Sequence, residues 1–209
     1  MDAVLGRDTS GPGTVAGNPE CSLSLQITAG SRAREYGSLD ELAADSTDVV
    51  VVETVGGSAH DRLVPGGPTV TVASQDAWAG PAANPGDFVT VRVSRVISGS
   101  DLRAGQRISV LPFGSDRVTG HEALHDPGTY LLFLAPYVLG PNRPVGGYVV
   151  VGGPAGMFYR CAALANPDAP FTRTDAETPG LPDEVLPADV PDASWTSADY
   201  IAAGGPPVR

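Results

Sequence analysis

Residues 129–137 read TYLLFLAPY, and after a Pro/Gly loop residues 146–161 read GGYVVVGGPAGMFYRC. Short apolar runs rich in β-branched and aromatic residues, punctuated by Gly and Pro, are strand signals. Both runs are apolar on successive positions rather than alternate ones, so these strands are covered on both faces. They predict two or three strands of a compact β-domain and decide the fold class.

Working outward, the same signals recur. SLSLQIT at 22–28 alternates Leu23, Leu25 and Ile27 and predicts a short strand. Ser38-Leu39-Asp40-Glu41 is a capping box, which predicts one helix near 39–45 burying Leu39 and Leu42. DVVVVETV at 48–55 and PTVTVASQ at 68–75 are further strands. Phe88 to Ile97 places Val89, Val91 and Val93 on one face; Arg95 breaks the phase and Val96 resumes it one position late, the pattern of a β-bulge that bends a sheet toward closure. QRISVLPF at 106–113 is the next strand, with Pro112 at its end. The expected fold is mainly β: a small OB-like closed barrel of five to seven strands, with one short helix and long irregular tails.

At 209 residues the chain reads as a 21–163 barrel domain flanked by a loosely packed or disordered segment at 1–20 and a tail at 164–209. From residue 165 on, eight Pro and eight Asp/Glu stand against two Arg. Phe171, Leu181, Val185, Leu186, Trp195, Tyr200 and Ile201 punctuate this tail, and TSADYIAA at 196–203 is its one helical stretch. Since 49–52, 130–135 and 148–151 need cover on both faces, the tail is expected to wrap over the second face of the sheet, with Trp195 and Tyr200 as anchors; a partner protein there is the alternative.

Net charge is −11, and all 13 basic residues are Arg. A Schiff-base lysine is therefore excluded. An acidic chain without a basic run is a poor ligand for nucleic acid or anionic lipid. No apolar run reaches the ~20 residues of a membrane-spanning helix, so no membrane insertion is expected. The start MDAVLGRDTSGPG lacks a charged and apolar leader, which leaves a cytoplasmic protein or one whose signal peptide has been removed. The two cysteines, Cys21 and Cys161, bracket the expected domain and predict a disulfide, which points to a secreted or envelope setting; two buried thiols are the alternative.

His121-Glu122-Ala123-Leu124-His125 matches the zincin pattern, in which His at i and i+4 on a helix share Zn²⁺ and the Glu acts on bound water. Gly128 falls where the extended pattern has its glycine, and Met157 could be drawn as a Met-turn. The context opposes this. The third-ligand position is Leu131, inside a strand, and Gly120 and Asp126-Pro127-Gly128 leave too little room for a helix. His60 is the only other histidine. His121, Glu122 and His125 are thus metal candidates without supporting context, and no catalytic residue or cofactor is assigned. Gly152 to Gly156 lacks the Lys-Ser/Thr of a phosphate loop and reads as a turn between strands. Asp48 and Glu53 lie at opposite parity in one strand and cannot form a carboxylate pair. Trp78 and Trp195 read as packing anchors.

The order of helix, DVVVVETV, FVTVRVSRVISG, GQRISVL, GTYLLFLAPY and GGYVVVGGPAGMF resembles a group of small secreted or envelope proteins of high-GC Gram-positive bacteria, of unassigned function. More distantly it is similar to the netrin-like module of OB type. The likeness covers roughly 38–163 and implies a five-stranded barrel with additions. Protease inhibitors of that fold use an N-terminal cysteine, whereas Cys21 here follows twenty residues, so no functional residue carries over. The expected function is a non-catalytic extracytoplasmic binding or interaction module, facing an unknown protein or envelope ligand through the barrel face and the 56–67, 76–86 and 114–128 loops. A zinc-dependent hydrolase built on His121, Glu122 and His125 is one alternative, and a netrin-like protease inhibitor another.

Overall fold

The computed structural model describes residues 34–54, 88–111, 124, 128–161, 166–174 and 178–206. Its strands are β1 (Asp48–Thr54), β2 (Val89–Gly99), β3 (Arg107–Leu111), β4 (Gly128–Val138), β5 (Pro144–Val150), β6 (Met157–Cys161), β7 (Phe171–Arg173) and β8 (Glu184–Val185); the helices are α1 (Leu39–Ala44) and α2 (Ser197–Ala203). The strands expected at 22–28 and 68–75, and the segment 1–20, lie outside the described residues.

Five strands close on themselves in the order β1-β2-β3-β5-β4, and β4 returns to β1. All neighbours in this ring are antiparallel except β3 and β5, which pair in parallel. This is an OB-like closed barrel, and closure removes the free edges that an open sheet would leave. β4 is long enough to serve two partners on one edge: Leu134 to Val138 pair with β5, and Gly128 to Leu132 pair with β6. From β6 the sheet continues outside the ring through β7 to β8.

The doubly apolar runs have a simple cause: there are two cores. Val50 and Val52 of β1, Val91 and Val93 of β2, Ile108 and Val110 of β3, Tyr130, Leu132 and Leu134 of β4, and Tyr148 and Val150 of β5 fill the barrel. The intervening Val49, Val51, Leu131, Phe133 and Phe158 point outward and are covered by α1, Phe171, Leu181, Val185 and Tyr200, with Trp195 packed against them. The Trp195 and Tyr200 rings meet edge to face at 5.8 Å. Burial and the charge of Asp45 push the Tyr200 hydroxyl up to about 12. Backbone bonds fasten the same stretch: Ser194 N–H donates to Ala43 O (3.2 Å) and Trp195 N–H to Ser46 O (3.3 Å). Leu186, expected among the covering residues, is 42% exposed instead.

Local signals resolve as follows. Ser38 caps α1, its hydroxyl accepting from Glu41 N–H at 3.2 Å, while the Glu41 carboxylate reaches back to Gly37 N–H at 2.7 Å. Leu42 is fully buried beneath α1 and Leu39 is half-buried. A second short helix, α2, is capped by Thr196 and ends at Gly204 in a left-handed conformation. Tyr36 O–H donates to Asp45 at 2.9 Å, and Arg34 pairs with the same carboxylate oxygen, so the segment before α1 is pinned to its end. In β2 the expected slip is double. Val51 and Val52 oppose Arg95 and Val93, skipping Ser94, and Val49 and Val50 oppose Ser98 and Val96, skipping Ile97. The Ser94 hydroxyl donates to Val51 O at 3.1 Å. The Gly152 to Gly156 turn includes a 3₁₀ turn, Gly153–Gly156, and a Cβ at Gly156 would stand 2.0 Å from Val151 O.

Candidate binding face

The outer layer does not cover the ring evenly. It seals the outward side of β1, β4 and β6 and the Ile97–Ser98 end of β2, and leaves the Arg-bearing middle of the β2–β3 hairpin uncovered. There Arg92, Ser94, Arg95 and Arg107 are exposed. The hairpin and its turn carry Arg92, Arg95, Arg103 and Arg107 against Asp101 alone. The Asp101 carboxylate is itself engaged, accepting from Ser197 N–H at 2.9 Å. The covering layer has the opposite sign, with Asp168, Asp183, Glu184, Asp189, Asp192 and Asp199 against Arg173. Among the described residues the hairpin is thus net positive, in a chain whose net charge is −11.

Register builds that face. Arg92 stands directly opposite Arg107, and Thr90 opposite Ser109. Side chains two apart on a strand share a side, so the four form one square on the outside of the barrel. Glu53 of β1 is the neighbour of Arg92 on its other flank. The two ion pairs among the described residues, Arg34–Asp45 and Arg173–Asp183, use none of these groups. Thr90 Oγ1 and Ser109 Oγ are buried and have no hydrogen-bond partner. Ser109 is 6% exposed. Beside it β5 approaches closely: a Cβ at Gly147 (φ +73°) would stand 2.9 Å from Ser109 O and 2.7 Å from the Phe88 ring.

One end of the barrel holds a buried carboxylate. Asp48 is fully buried and accepts from Thr47 Oγ1 (3.0 Å), Asp101 N–H (3.3 Å) and Leu102 N–H (3.2 Å). Burial raises its pKa above the ordinary carboxylate range, the hydrogen bonds from Thr47 and Leu102 opposing the rise. Burial likewise raises the Tyr148 hydroxyl, and the charges of Asp48 and Asp101 add to it.

His121, Glu122, His125, His60 and Trp78 lie outside the described residues. Leu124, inside the His-Glu-x-x-His stretch, has φ +68° and is 2% exposed in the barrel core. A right-handed helix carrying both imidazoles on one face would need φ near −63° at that residue. Met157 opens β6 and is buried in the barrel core, and Leu131 is buried in β4. Among the described residues no three His, Cys, Asp or Glu are grouped to hold a metal ion. No described helix is long and apolar enough to cross a membrane. The Cys21–Cys161 disulfide also lies outside the described residues: Cys21 is beyond them, and of Cys161 only the backbone pairing with Gly128 is described. No disulfide occurs among the described residues.

Sequence reasoning pointed to the barrel face but missed Thr90, Arg92, Arg107 and Ser109. The alternation TVR and RIS carried the signal for which side each faces. Their adjacency depends on inter-strand register, which the sequence does not display. No protein-family model, curated protein or solved structure matches the chain.

Proposed function

We propose that this protein is a non-catalytic extracytoplasmic binding module whose contact surface is the outward face of β2 and β3. One observation carries this reading: among the described residues, the outer layer covers the apolar outside of β1, β4 and β6 and leaves Arg92, Ser94, Arg95 and Arg107 of the hairpin exposed. OB-like barrels bind ligands on the face of these two strands. The isolated pair Cys21 and Cys161 supports the extracytoplasmic setting, and so does the resemblance to secreted and envelope proteins.

The test is site-specific photo-crosslinking in cells that make the protein. A photoreactive residue replacing Arg95 on the bare face is expected to give discrete adducts. The same residue replacing Glu184, exposed on β8 over the sealed side, is expected to give none. Equal labelling from both positions, or none from position 95, would overturn the reading.

A further inference from the structure

The square formed by Thr90, Arg92, Arg107 and Ser109 has two properties that folding alone does not explain. Like charges placed directly opposite on neighbouring strands destabilise a sheet. Arg92 and Arg107 are such a pair, and no described carboxylate forms an ion pair with either. Buried hydroxyls ordinarily have partners. Thr90 Oγ1 and Ser109 Oγ, opposite each other one step along the same face, have none.

Both anomalies have the same remedy. A tetrahedral oxyanion offers several acceptor oxygens, and a guanidinium offers a planar fork of donors matched to two of them. Two forks on adjacent strands, with Cβ atoms about 5 Å apart, can grip one such anion from both sides. The Thr90 and Ser109 hydroxyls, one step along the same face, are two further donors that a small shift of the groups covering them would open to the anion. Glu53, flanking Arg92, would weaken the grip without closing it.

We propose that this square is an oxyanion site, for phosphate or sulfate, either free or as the terminal group of a larger ligand. This rests on the reading of the β2–β3 face as the contact surface and adds the chemistry of what it contacts.

The experiment is a titration of the intact protein with inorganic phosphate and, separately, sulfate, followed by amide chemical shifts, with sodium chloride at equal ionic strength as the control. Saturable shifts in the millimolar range, centred on 90–92 and 107–109, are expected for at least one oxyanion and not for chloride. The preferred anion identifies the ligand class. Arg92→Gln with Arg107→Gln, both at exposed positions, should weaken binding at least 10-fold. Arg103→Gln, in the turn away from the square, should leave it unchanged. Glu53→Gln should tighten it about 2- to 5-fold, a gain that no loss of structure could mimic. Shifts that track ionic strength alone, or an affinity that survives in the double variant, would overturn the proposal. If that happens while position 95 still crosslinks selectively, the contact face stands and only its chemistry is wrong.

Discussion

Asp48 shows how one buried side chain couples stability to pH. Its carboxylate holds the β2–β3 turn by accepting the N–H groups of Asp101 and Leu102. Burial nevertheless raises its pKa, so desolvation outweighs those bonds. The folded state then binds a proton more tightly than the unfolded chain. That contribution is fully present below the ordinary carboxylate pKa and is lost as pH rises through the elevated folded value. Asp48→Asn keeps an acceptor oxygen and removes the titration. Urea unfolding across this window should therefore show the wild-type stability falling relative to Asp48→Asn as pH increases, and parallel curves would refute the assignment. Asp48→Ala, which also removes the titration, should cost about 1–3 kcal/mol at the acid end of this window, because it strands two backbone N–H groups, and less as pH rises and the wild type loses its advantage. Asp48 was legible from sequence only as the start of a strand. Its burial arises because the turn folds back over it, with Gly99 at φ +103° leaving room that a Cβ 2.5 Å from Asp48 Oδ1 would occupy.

β2 is the element where sequence and structure agree in kind and differ in detail. The slip at Arg95 announced one bulge, because a charged residue stood where an inward apolar one was due. The second bulge, at Ile97, left no such mark: Ile97 is apolar like its neighbour Val96, and an apolar residue suits either side of a strand with two cores. The bulge at Ser94 has its own hydrogen bond, Oγ to Val51 O. Ser94→Ala should lower stability by about 0.5–1.5 kcal/mol, read as a shift in the urea midpoint with unchanged slope. A change in slope would report a change in the surface exposed on unfolding, as an altered register would produce. That distinction matters for the binding face, because a one-residue slip would exchange the inward and outward sets and part Arg92 from Arg107.

At the scale of the whole molecule, the doubly apolar strands were the legible part, and they implied a second layer before any tertiary contact was known. The ring order was not legible: the parallel β3–β5 closure and the division of one β4 edge between β5 and β6 are long-range pairings with no local signature. The His-Glu-x-x-His stretch was the most conspicuous motif in the sequence, whereas the basic square is assembled from residues that look unremarkable in order and meet only through register. The acidic tail, with a composition usual in disordered segments, instead builds β7, β8 and α2 over the outer core. If that layer is structural, removing it should expose Val49, Val51, Leu131, Phe133 and Phe158 together. A chain ending at residue 165 is expected to bind a hydrophobic dye, to self-associate and to melt well below the full-length protein. Trp195→Ala should lie between the two. Full burial of an aromatic is worth about 3–5 kcal/mol on truncation to Ala, and the half-buried Trp195 should lose about 2 kcal/mol. Equal urea midpoints and no dye binding for the shortened chain would show that the barrel stands without its outer layer, and the outward apolar residues would then need another occupant.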